Sequence, residues 1–133
     1  MIMTITKKII YTNITDRSEN MNKINVLGTE YKIIKATEEE DKKLKTASGY
    51  CDHTTKEIVI EDIDKMEKDE HTVGNLKVHE DRVLRHEIIH AFLFESGLGH
   101  DTSCSWATNE EMIDYFARQM PKILKVFQDI DII

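Results

Sequence analysis

The chain has 133 residues, 40% hydrophobic and 32% charged, with a net charge of −7. That size predicts one domain with one modest core. The acidic balance and the lack of a basic run exclude an ordinary nucleic-acid surface, and no apolar run reaches the roughly 18 residues of a membrane helix.

In chain order, residues 1–22 are polar and irregular and read as an extension, with "MTITKKIIY" suited to one added strand. No apolar core of a leader peptide is visible there, so a cytoplasmic protein with reduced thiols at Cys51 and Cys104 is expected. Residues 23–133 are expected to form the domain. "KINVLGTEYKIIKA" reads as a hairpin around Gly28 and Thr29. "TEEEDKKLK" is a charged turn or loop, and "GYCDHTTKEIVIED" repeats the hairpin logic with "HTTK" as its turn. After a polar linker the period changes. Leu76, Val83, Leu84, Ile88, Ala91 and Phe92 recur at helical spacing. Gly97 and Gly99 end that helix. Thr108 or Asn109 caps a last helix with Glu110 and Glu111 in its first turn. Met112, Ile113, Phe116, Met120, Ile123, Leu124 and Phe127 form its apolar stripe, and Pro121 is expected to kink or split it near Gln119. The order predicts an α+β fold, with a small antiparallel or mixed sheet and two long C-terminal helices.

The chemistry concentrates in "LRHEIIHAFLFESGLGH". His86 and His90, four apart on a helix, lie one turn above each other and can share one zinc ion. Glu87 is one step round and can take a proton from a water held near the metal. Two histidines and a glutamate on an otherwise apolar helix are costly without partners. A third ligand is needed. Position 96 is Ser96, which excludes the spacing in which a third histidine follows six residues after the second. His100 lies beyond the glycine breaks. Glu110 and Glu111 compete for the role. Asp114, one turn after Glu110, is placed to orient a ligand histidine and favours Glu110, with Glu111 as the alternative. Cys51 and Cys104 are expected as buried free thiols, Trp106 as a core or helix-staple residue, and His71 and His79 as solvated.

"RHEIIHAFLFESGL" followed by "WATNEEMIDYFARQMPKI" resembles the small zincin-like metallopeptidases of phages and mobile elements of Gram-positive bacteria. "NEEMIDYF" is also similar to the N-E-x-x-x-D-x-F run of thermolysin-type gluzincins, which maps the third ligand onto Glu110 and the supporting carboxylate onto Asp114. The resemblance spans about residues 22–123. It implies a minimal zincin core, Zn2+ as cofactor, and a protein or peptide substrate, with a phage or element regulator as one class. It also implies a sheet edge that binds substrate as an added strand, for which Glu57–Ile60 is the expected segment. Thermolysin-type enzymes also carry a separate oxyanion-stabilising His or Tyr; no motif marks its counterpart here, and Tyr50, His53, His79 and Tyr115 are in view, each with a structural role as the alternative. The rival expectation is a metal-stabilised binding or adaptor module without turnover.

Overall fold

A computed structural model describes residues 22–100 and 105–133. The N-terminal extension, with its expected strand, and Cys104 lie outside the described residues, as does the side chain of His100.

The first hairpin forms as the sequence predicts, one residue earlier. Strand β1 (Lys23–Val26) pairs antiparallel with β2 (Thr29–Ala36), Val26 facing Thr29. The two-residue turn is therefore Leu27–Gly28, both at positive φ (51° and 93°). This is the turn whose twist matches paired strands. Asn25 Oδ1 accepts from the Gly28 amide at 2.8 Å and closes it.

Strand β3 (Gly49–Asp52) and β4 (Glu57–Glu61) form the second hairpin. The two hairpins join through a parallel pairing of β2 with β4, giving the order β1-β2-β4-β3. The sheet is thus mixed. This corrects one expectation: β4 is paired on both sides, so Glu57–Ile60 is interior, and among the described residues β1 and β3 are the edges. The reason lies in the run Ile58, Val59 and Ile60, all buried, which needs cover on both faces. On one face Ile58 and Ile60 pack with Val26, Tyr31 and Ala91. On the other, Val59 packs with Ala36 and Leu44, the latter from the short 3-10 turn Lys42–Lys45.

Helix α1 (Leu76–Glu95) lies on the first face. Asn75 caps it by accepting from the Val78 amide, and Gly97 ends it at φ 85°. Val83, Leu84, Ile88 and Ala91 turn to the sheet. Phe92, expected in that stripe, is largely exposed. Gly49 lets α1 approach β3 closely, since a Cβ there would stand 2.7 Å from Val83 Cγ1. Both ends of α1 are tied down. Near its start Glu80, buried, accepts from Lys35 at 2.9 and 3.0 Å and from Lys77 at 3.1 Å. At its end Glu95 accepts from Tyr31 Oη at 2.7 Å, from Thr29 and from Lys56.

Helix α2 (Glu110–Asp129) is capped by Asn109, which accepts from the Met112 amide at 2.8 Å. It packs mainly on α1. The split expected near Gln119 does not occur, and one helix runs through Pro121. Pro121 has no N–H to give the carbonyl of Ala117, one turn back. Arg85 of α1 supplies the missing donor, its Nε reaching Ala117 O at 2.6 Å. Trp106, expected to be buried, is 53% exposed. No helix among the described residues is long and apolar enough to cross a membrane.

Candidate metal centre

The helical period of α1 brings His86 and His90 to one face, and the packing of α2 brings Glu110 to meet them. His86 Nε2 and His90 Nε2 are 3.1 Å apart. Glu110 Oε2 is 2.9 Å from His86 Nε2, and its Oε1 is 3.2 Å from His90 Nε2. The three side chains can each offer one ligand atom, with all three atoms within 4.8 Å of one another.

The donor set fits a metal ion. A tetrahedral ion with bonds of about 2.0–2.1 Å holds its ligands roughly 3.3 Å apart, close to the separations seen. Imidazole nitrogens and a carboxylate are also the donors such ions take. Without a shared proton or cation, the facing lone pairs of two imidazoles and a carboxylate repel. The His90 imidazole is held below its ordinary value, chiefly by burial, although Glu110 pulls the other way.

Glu111, the alternative ligand, is exposed and outside this group. Asp114 does face the far side of His86, its Oδ1 at 3.7 Å from Nδ1, too long for a direct hydrogen bond. Its other oxygen accepts from Arg118 Nε at 2.7 Å, and that bond holds the Asp114 carboxyl below its ordinary range.

Glu87 is only 8% exposed. Burial raises its carboxyl to about 7, with Glu110 adding to the rise and His86 opposing it. It lines a cavity of about 410 Å3 with His86, His90 and Glu110. Edge strand β3 forms another wall through Gly49, Tyr50 and Cys51. Burial, then the charge of Glu87, pushes the Cys51 thiol up to about 11, so it stays protonated.

Of the four side chains considered for carbonyl-oxygen stabilisation, Tyr50 and His53 line this cavity. The Tyr50 hydroxyl is engaged by Asp41, and burial with that bond pushes it up to about 12. The His53 ring stacks on Phe94, centroids 3.8 Å apart. His79 instead sits 3.3 Å from Ser48 Oγ, contrary to the expected solvated ring, and Tyr115 is exposed. Phe94 and Leu93 were missed as cavity walls. The signal was present, because Phe94 follows His90 by four residues, as His90 follows His86.

No protein family, curated protein or solved structure matches the chain.

Proposed function

We propose that the chain is a zinc-dependent peptidase of the zincin type, with His86, His90 and Glu110 as metal ligands and Glu87 as general base. The observation that carries this is the joint one: three ligand-type atoms converge, and a buried carboxylate lines the same cavity. Zinc bound there supplies Lewis acidity toward a peptide carbonyl and lowers the pKa of water toward about 7. Glu87, itself near 7, is suited to take a proton from the attacking water and pass it to the leaving amine. Asp114 faces the Nδ1 side of His86 at 3.7 Å, and its charge there favours the ring orientation that turns Nε2 to the metal. Strand β3, the edge beside the cavity, replaces β4 as the strand on which an extended peptide would lie. His53, which lines the cavity and stacks on Phe94, is the side chain this reading assigns to the carbonyl oxygen. The substrate is a protein or peptide, a phage or element regulator among the classes in view. A cytoplasmic setting, where thiols stay reduced, belongs to the same reading.

The test is elemental analysis of the purified chain together with peptide-library cleavage. About one zinc per chain is expected, lost in Glu110→Ala and kept in Glu111→Ala. Cleavage is expected from the zinc-loaded chain and not from Glu87→Gln. Zinc binding with no cleavage refutes the peptidase and leaves the metal-stabilised binding module, and equal cleavage by Glu87→Gln refutes Glu87 as the general base.

A further inference from the structure

The second half of α2 presents an apolar seam that the rest of the described chain does not use. Ile113, Phe116, Met120, Ile123, Phe127 and Ile130 follow one another at alternating steps of three and four. That 3.5-residue period draws a stripe that winds slowly around the helix and is the pattern of helices that pair. The first part of α2 is occupied, with Ile113 and Ala117 buried where it packs on α1. From Leu124 onward every residue is exposed. Leu124, Val126, Phe127, Ile130, Ile132 and Ile133 each keep between 36% and 66% of their surface open.

We propose that this seam is a self-association surface, through which two copies of the chain pair about a two-fold axis. Three observations favour a second copy. The first is area. Side chains of this size, exposed to this degree, leave about 500 Å2 of apolar surface per copy over the end of the seam, its flanks and the last residues, so full cover of a pair buries about 1,000 Å2, where specific association begins. The second is the flank. Beside the seam stand Leu124 and Val126, where a helix that selects a different partner carries charges. The third is charge placement. Arg118, Lys122, Lys125 and Asp129 all fall on the opposite side of the helix. Lys125 pairs with Asp129 at 2.5 Å and Arg118 with Asp114 at 2.7 Å. Apposing two seams therefore keeps these four charges away from the contact, with Asp131 just past the helix end as the remaining charge nearby. A two-fold pair also uses one patch twice, which a self-complementary apolar stripe satisfies.

The experiment is sedimentation equilibrium on the full chain and on Phe127→Glu and Ile130→Lys, with far-UV circular dichroism on each. Both positions are exposed, so the helix signal is expected to persist. The wild type should sediment as a dimer at high micromolar concentration, and each variant should associate about 30-fold or more weakly. A wild type that stays monomeric overturns the proposal and points to cover from within the chain. A dimer that survives both substitutions overturns it as well and places the contact elsewhere. Neither readout depends on whether the metal centre is catalytic.

Discussion

Arg85 and Pro121 give the sharpest quantitative test of the packing. Pro121 leaves the Ala117 carbonyl without its helical donor, and Arg85 Nε reaches that oxygen at 2.6 Å. A charge-assisted bond to a partly buried carbonyl is worth about 1.5–3 kcal/mol. Arg85 is half-buried, so part of that is offset by solvation in the unfolded chain. We expect Arg85→Met to cost about 1–2 kcal/mol, a fall in Tm of roughly 3–8 °C for a domain of this size. Pro121→Ala restores the N–H that the carbonyl lacks. In that background Arg85→Met should cost about 1 kcal/mol less, because the oxygen keeps a partner. Urea unfolding of the two single variants and the double variant, followed by circular dichroism, measures the coupling. If the two costs agree within about 0.5 kcal/mol, the sites are independent and the carbonyl is not what Arg85 serves.

Three further outcomes are expected. Gly49→Ala should destabilise by about 1–3 kcal/mol in urea unfolding, because its Cβ would meet Val83 Cγ1 at 2.7 Å and Val59 O at 3.1 Å. Glu95 is held below its ordinary value of 4.5, first by Lys56 and then by Tyr31. A carboxylate with a lowered folded pKa contributes stability above its unfolded pKa and loses it as pH falls through the folded one. The stability gap between wild type and Glu95→Gln should therefore be constant near neutrality and shrink below 4.5. Finally, chelation of bound metal should lower the Tm of wild type and leave that of Glu110→Ala unchanged, as read by calorimetry.

The parts of this architecture that were legible in the sequence are local ones. His86, Glu87 and His90 lie within five residues of one helix, so periodicity alone brings them together. Glu110 was reachable because Asn109 marks a helix start and Asp114 repeats one turn later. The sheet order was not legible, because the parallel pairing of β2 with β4 joins strands separated by the whole of β3. Hairpin signals report which strands are neighbours in sequence and are silent about which side of the pair remains open. The three buried residues Ile58, Val59 and Ile60 were the available clue that β4 is interior. Arg85 was invisible for a related reason. Its partner is a backbone carbonyl exposed by a proline 36 positions along the chain, and no side-chain pattern encodes that. Trp106 was misread because a bulky residue before a helix suggests a staple, whereas here it faces outward.

The ties at Glu80 and Glu95 make α1 a beam fixed at both ends, with the two histidines in its span. Glu110 rides on α2, which among the described residues packs mainly on α1. Of the three proposed ligands, two are therefore mounted on a rigid support and one on an arm. A metal ion joining them would act as a gauge of how well the arm is seated. By reciprocity, a change that loosens α2 from α1, even at Arg85, should weaken metal binding, up to the free energy with which the metal tightens that contact. Metal affinity then reports on a helix joint, and the chemistry of the centre and the docking of α2 become one thermodynamic quantity read from two ends.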